Sequence, residues 1–331
     1  MYAQVAIALC RRRRDFVRAR YTGAQTIDDN HKVVVFAHYN RKGCVHDSVL
    51  YYMDALRDAG YVIVFVSNSP QLAEVALSNV LPRVALVLHR WNVGYDFGAY
   101  RDGLLALGDL TRFDQVLLAN DSVYGPLFDL GGTLARCDDG ADIWSTTDSY
   151  DRGYHLQSYF LLFRRPALGN PDLMAFWRAV WPVNSRDWVI RRYEIGFTRA
   201  MRRAGLRCAA LFPYDQAVTL FKERALGGTT GAYDGSAEPY RVFAAKTLDA
   251  IARGQPCNAM HHFWDLLVVE MQCPFIKREL LVYNPLQVPG VCQWRDVVNH
   301  VSGYNTDLIV RQSRDLGRAI DHANQGPSCP C

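Results

Sequence analysis

Continuous apolar runs that end abruptly in polar residues mark the first half of the chain. "KVVVFAHYN" (32–40) is such a run, rich in β-branched residues, and predicts a strand buried on both faces of a parallel sheet. "HDSVLYYMDALRDAG" (46–60) follows with Val49, Leu50, Met53 and Leu56 on one helical stripe, Asp47 or Ser48 as a cap and Gly60 as a stop. "YVIVFVSNSP" (61–70) predicts a second buried strand, which completes a βαβ unit with a right-handed crossover. A third strand is predicted at 83–90, a helix near "YRDGLLALGDL" (100–110) and a fourth strand at "FDQVLLAND" (113–121). Further strands are predicted at 141–148 and 155–165, and helices at 171–180, 189–206 and 261–271. In the 189–206 helix Ile190, Tyr193, Phe197 and Met201 share a face. Residues 1–30 show no sustained period and are taken as a lead-in, 31–300 as one domain and 301–331 as a polar tail.

Strands alternating with helices indicate an α/β domain with a mostly parallel central sheet flanked by helices. Ligands of such sheets bind beyond the carboxyl ends of the strands. Those ends are polar here. The first strand delivers His38, Tyr39 and Asn40, and the second Ser67, Asn68 and Ser69. After the third come Asn92, Gly94, Asp96, Gly98, Arg101 and Asp102, and the fourth ends in Asn120, Asp121 and Ser122. A carboxylate directly after a buried strand, as Asp121 is, can hold Mg2+ or Mn2+ whose other ligands are diphosphate oxygens; it can equally end the strand in an Asx-turn.

Composition narrows the classes. With 331 residues, half of them hydrophobic, the chain has material for a large core. A net charge of +4 gives no nucleic-acid footprint. Charge gathers locally at 11–20 and 199–207, as solvated faces or as contacts for phosphate-rich ligands or anionic lipid. Nine scattered cysteines suit reduced thiols in the cytosol. No apolar run approaches a membrane span. The chain has no G-x-G-x-x-G after its first strand, no P-loop, no G-x-S-x-G elbow and no H-E-x-x-H.

The blocks "VVVFAHYN", "NVGYDFGAYRDGL", "FDQVLLANDSVYGPL", "HLQSYFLLF", "YEIGFTRAMRRAGL", "MHHFWDLL" and "PFIKRELL", in order over residues 32 to 296, resemble the rhamnan synthesis protein F family of bacterial polysaccharide glycosyltransferases. More broadly they resemble GT-A glycosyltransferases, nucleotide-sugar enzymes with a Rossmann-like sheet. The resemblance implies that His38, Tyr39 and Asn40 stand near the nucleotide. It implies that Asn92, Gly94, Asp96, Gly98, Arg101 and Asp102 approach the donor, that Asn120 and Asp121 face diphosphate and metal, and that Glu194 is the base. His261 falls on a family histidine, as a metal ligand or diphosphate contact. The chain departs from the wider pattern at "SNS" after the second strand and at "NDS", which has one carboxylate where two are usual. Within the closer family it departs at Ser145, Ala259 and Met260.

The implied activity is transfer of a deoxyhexose, rhamnose in the first place, from a dTDP- or GDP-sugar to a growing polysaccharide or lipid-linked glycan, with inversion. The implied setting is the cytoplasm, with peripheral contact at the inner face of the plasma membrane. Inversion needs a base for the acceptor hydroxyl and a stabilised leaving diphosphate. Glu194 is the leading base, against Asp148 and Asp151 in the 146–155 loop and against a plain surface pairing with Arg191 or Arg192. His155 and Gln157 are candidate donor or acceptor contacts. Trp144, Trp177, Trp181 and Trp264 read as core, with one of them free to stack on a sugar. A nucleotidyltransferase and a catalytically degenerate sugar-binding protein are the alternatives.

Overall fold

The structure is a computed structural model and describes residues 16–226 and 237–315. Strand β1 (Val17–Thr22) precedes β2 (Lys32–His38), helix α1 (Asp47–Asp58), β3 (Tyr61–Ser67), β4 (Leu86–Arg90), α2 (Tyr95–Leu107) and β5 (Gln115–Asn120). Then follow β6 (Val123–Tyr124), β7 (Ile143–Ser149), β8 (His155–Leu156), β9 (Phe160–Arg164) and α3 (Pro171–Ala179). A helical segment runs from Arg186 through a π-helical turn at Ile190–Glu194 into α4 (Ile195–Arg203), and β10 (Cys208–Phe212) and α5 (Tyr214–Leu226) come after it. The chain closes on β11 (Ile276–Lys277), α6 (Arg278–Tyr283) and α7 (Asp307–Asp315) among the described residues.

The main sheet has strand order β1-β4-β3-β2-β5-β9-β7-β10, with β8 paired to β7. Strands β2, β3, β4, β5, β7 and β10 run one way, and β1, β8 and β9 run against them. This is the Rossmann-like, mostly parallel class expected. Because β2 lies between β3 and β5, chain order reverses at the β2–β5 junction, and a crevice opens past the carboxyl ends of those two strands. Alternate residues of β2 feed opposite faces of the sheet: Val34 and Phe36 join one core, Val33, Val35 and Ala37 the other. A third apolar cluster, around Tyr124, Trp264, Ile276 and Trp294, anchors the two-stranded β6–β11 ribbon beside the crevice.

Several predicted boundaries shift for physical reasons. Helix α1 starts after His46, so neither Asp47 nor Ser48 is its cap; Asp47 sits in the first turn, where the helix dipole favours a carboxylate. Helix α2 begins at Tyr95, five residues before the predicted start, which turns "YDFGA" from loop into helix. The predicted strand at 155–165 splits into β8 and β9, since Gln157 and Ser158 bond sideways instead of extending the ladder. Part of the expected lead-in, Val17–Thr22, is an edge strand antiparallel to β4. Part of the expected tail, Asp307–Asp315, is a helix packed on α1, with Gln312 bonded to Ser48. Cys292 is disulfide-bonded, against the expectation of reduced thiols, whereas Cys44, Cys137, Cys208, Cys257 and Cys273 are free. Among the described residues no helix is long and apolar enough to cross a membrane.

Candidate functional site

A cleft of about 440 Å³ opens at the β2–β5 junction. Tyr39 and Asn40 just past β2, Tyr95 and Asp96 from the first turn of α2, and Asn120 from β5 line its sheet side. Ser158, Glu194, Lys277 and Arg278 complete the lining. Local sequence explains each placement. Asn120 ends a fully buried strand, and its Oδ1 accepts from the Ser122 N–H (3.0 Å) and hydroxyl (2.6 Å), so the chain turns sharply. The same side chain donates through Nδ2 to Asp96 Oδ2 at 2.9 Å and ties α2 to the strand end.

Asp96 carries the most perturbed carboxyl of the cleft. Burial, and then the neighbouring Asp121, push its pKa up to about 6, against the pull of Lys277 and Arg278. Asp121 is buried, and its Oδ2 accepts from Arg278 Nη1 at 3.1 Å. Lys277 is pushed down to about 8 by burial, partly offset by Glu194 and Asp96; its Nζ lies 4.0 Å from the centre of the Tyr159 ring. Glu194 Oε1 accepts two bonds from Ser158, 3.1 Å from the N–H and 2.8 Å from the hydroxyl. It sits where the helix widens: Ile195 donates to the Ile190 carbonyl five residues back. Such π turns are frequent at functional sites. Below the cleft, His38 shares a hydrogen bond with Ser67 (3.2 Å), and its buried Nε2 has no partner. Burial holds it down to about 4 despite Asp121, so it is neutral.

Three carboxylates, Asp96, Asp121 and Glu194, and two cations, Lys277 and Arg278, therefore gather at the cleft. That arrangement is suited to an anionic leaving group and a carboxylate base in one cleft. The chain matches the rhamnan synthesis protein F family over residues 63–223. A virulence protein, VirA of Vibrio anguillarum, is 28% identical over 271 residues, which cover 79% of this chain and 83% of that protein. An uncharacterized protein of Sinorhizobium fredii, y4gN, is 30% identical over 190 residues, and the chain spans about half of its length (49%). Among solved structures, galactosyltransferase LgtC with donor and acceptor sugar analogues covers 85% of this chain and 99% of its own, at 11% identity and TM-score 0.34. Mannosyltransferase PcManGT of Pyrobaculum calidifontis, solved with GDP-Man and Mn2+, covers 95% of each chain at 12% identity and TM-score 0.31.

The resemblance to the rhamnan synthesis protein F family is thus borne out over residues 63–223. The matched stretch carries Asp96, Asn120, Asp121, Ser158 and Glu194, whereas Lys277 and Arg278 lie beyond it. Several expected donor contacts are engaged by other parts of the protein. Gly94 is in the left-handed region (φ 86°), and a Cβ there would come within 2.7 Å of Pro182 Cα. A Cβ on Gly98 would lie 2.4 Å from the Val93 carbonyl and 2.9 Å from the Arg90 guanidinium. That guanidinium is fully buried and pairs with Asp102 at 2.8 Å, while Arg101 holds the other Asp102 oxygen at 2.7 Å. Asn68 accepts from Arg90 and donates to the Tyr95 carbonyl, and Asn92 is exposed with its carbonyl bonded to Asn184. Gly94 and Gly98 of "NVGYDFGAYRDGL" therefore pack directly against protein atoms, Pro182 and the Arg90 guanidinium.

The acceptor candidates lie elsewhere too. Asp148 is buried and accepts from the Tyr214 N–H at 2.7 Å at the start of α5. His155 bonds to the Gly153 carbonyl, and Gln157 accepts from Thr147. His261 is buried near Lys277 and Glu279, burial pushing it down to about 4, with Nδ1 unpartnered. Among the described residues no group of three or more His, Cys, Asp or Glu could hold a metal ion. The basic cluster 199–207 is likewise divided, since Arg207 pairs with Asp142 and Arg202 lies over Tyr154; residues 11–15 of the other cluster lie outside the described residues. What sequence reasoning missed is Ser158, Lys277 and Arg278. The signal available was a Lys-Arg pair directly after the apolar "PFI" run, at a point where burial leaves few exits for charge.

Proposed function

We propose that the protein is an inverting glycosyltransferase that moves a deoxyhexose, rhamnose in the first place, from a dTDP- or GDP-sugar to a polysaccharide or lipid-linked acceptor. One observation carries this reading: Glu194, Lys277 and Arg278 line the same cleft as Asp96 and Asn120 at the strand ends. Support for the sugar comes from the rhamnan synthesis match alone. In the reaction Glu194 takes the proton of the acceptor hydroxyl as that oxygen bonds to the anomeric carbon. The bond from that carbon to the diphosphate oxygen breaks, and the diphosphate leaves with the electron pair. Lys277 and Arg278 meet the developing charge, and Ser158 aims the base through Oε1. Asp96 and Asp121 are the residues that would hold a divalent cation, which when bound adds positive charge at the diphosphate. Cytoplasmic placement with contact to anionic lipid belongs to the same reading, and co-sedimentation with anionic vesicles tests it.

The deciding experiment incubates the full chain with dTDP- and GDP-deoxyhexoses, with and without Mn2+, and follows nucleoside diphosphate release. Release that depends on Glu194 and Asp121 supports the reading. Neither transfer nor donor hydrolysis with any of these donors rejects it.

A further inference from the structure

The helical segment carrying Glu194 has a second cavity on its other side, of about 720 Å³. Val189, Ile190 and Glu194 line the first cleft, whereas Trp188, Arg191, Arg192 and Tyr193 line the second, so one turn of backbone is the wall between them. The π-helical widening at Ile190–Glu194 sits in that wall. The volume falls in the range of roughly 300–1,000 Å³ typical of small-molecule sites.

Its lining is chemically distinct from the first cleft. Trp181, Trp188 and Tyr193 supply aromatic surface, and Arg191, Arg192 and Arg199 supply charge. Three guanidinium groups face a single lining carboxylate, Asp187, and that carboxylate is already bonded to Arg191 (3.0 Å) and Arg152 (2.6 Å). Among the described residues Arg192 and Arg199 make no hydrogen bond or ion pair, and both are exposed. Trp188 Nε1 is a buried donor without an acceptor; an unmet donor beside a cavity is one that a bound hydroxyl or carboxylate can satisfy. The framework is built: the Tyr193 hydroxyl donates to the Trp181 carbonyl at 3.0 Å and accepts from the Trp181 N–H at 2.8 Å.

Aromatic faces with guanidinium groups around them select a ligand that has apolar ring faces and anionic substituents. We infer that this cavity binds an acidic saccharide, a sugar chain bearing carboxylate or phosphate groups. It would be the non-reacting part of an acceptor whose reacting end passes to Glu194, which rests on the transferase reading above. Pyranose rings stack on the indoles, and Arg192 and Arg199 take the anionic groups in bidentate fashion.

Calorimetric titration of the full chain with an oligogalacturonate hexamer tests this, with maltohexaose, inorganic phosphate and UMP as separate arms. The hexamer binds, and maltohexaose binds about tenfold more weakly or not at all. Arg192→Gln with Arg199→Gln, both at exposed positions, removes that difference, and Trp188→Ala weakens the hexamer about tenfold while Trp188→Phe, which keeps an aromatic ring, restores most of it. Absence of hexamer binding, binding indifferent to these substitutions, phosphate binding as tight as the hexamer, or UMP binding tighter than it would each overturn the inference. Donor turnover onto a small neutral acceptor reads the transferase proposal separately. Turnover without hexamer binding sinks only the second cavity, and hexamer binding without turnover sinks only the catalytic reading.

Discussion

Arg278 donates to Asp121 at 3.1 Å, joining residues 157 positions apart in the chain. The contact brings a guanidinium to the end of β5 from a segment whose strand, β11, pairs with β6 in a separate two-stranded ribbon. It also places positive charge beside the single carboxylate of "NDS". Asp121 is buried and Arg278 is about a quarter exposed (26%), so this is a partly screened pair.

Breaking that pair separates binding from folding. Asp121→Ala leaves Arg278 without its partner and costs about 2 kcal/mol, below the range for fully buried pairs. Arg278→Gln weakens donor binding at least about tenfold, by removing a charge-assisted phosphate contact. Thermal denaturation and calorimetry with a nucleotide-sugar check the two effects.

Glu194→Gln keeps the Ser158 bonds and removes the basic oxygen. Turnover falls by roughly 10²–10⁴, the usual worth of a general base, with donor affinity within about twofold. Ser158→Ala releases the carboxylate and lowers turnover by about tenfold. Steady-state kinetics at saturating donor separate these from a binding defect.

Lys277 sets an alkaline limit. Because burial holds it down to about 8, its charge is lost as pH rises through that value, and donor binding falls with it. The stability effect has the opposite sign. The folded state binds fewer protons than the unfolded one between about 8 and the ordinary 10.5, so stability rises with pH over that window. Lys277→Gln removes both slopes, and a pH series of donor affinity and melting temperature reads them.

For Asp96 the folded carboxyl is pushed up to about 6 from an ordinary 3.8, so the folded state binds more protons in that interval and loses stability as pH rises across it. Asp96→Asn abolishes this loss and is the more stable protein at neutral pH, by on the order of 1 kcal/mol. Melting curves at the two ends of the interval test the sign.

Gly98→Ala tests whether the glycines serve the frame. The added carbon forces the Arg90 guanidinium from Asp102, which costs at least about 3 kcal/mol because it strands a buried charge. Chemical denaturation measures it. A variant of wild-type stability that has lost only donor binding would restore the ligand role.

Much of the first half of the chain was legible. Strands β2, β3 and β5 are uninterrupted apolar runs buried on both faces, a pattern that no surface element shares. Asp96, Asn120 and Glu194 were found because they follow such runs or match family positions. The sequence left "NVGYDFGAYRDGL" ambiguous because a glycine that admits a ligand and one that admits a buried guanidinium read alike; Arg90, the group that fills the space, lies one strand earlier. Lys277 and Arg278 were hidden by distance, since their neighbours Asp121 and Tyr159 are set by the ribbon packing on Trp264 and Trp294 and not by local periodicity.

The placement of Lys277 and Arg278 beyond residue 223, where the family match ends, divides the apparatus between two lengths of chain. A fragment trimmed to the matched stretch would retain Asp96, Asp121 and Glu194 and lose Lys277 and Arg278, so its cleft would carry more negative charge than that of the intact protein. Engineering by homology alone would discard the half that attracts.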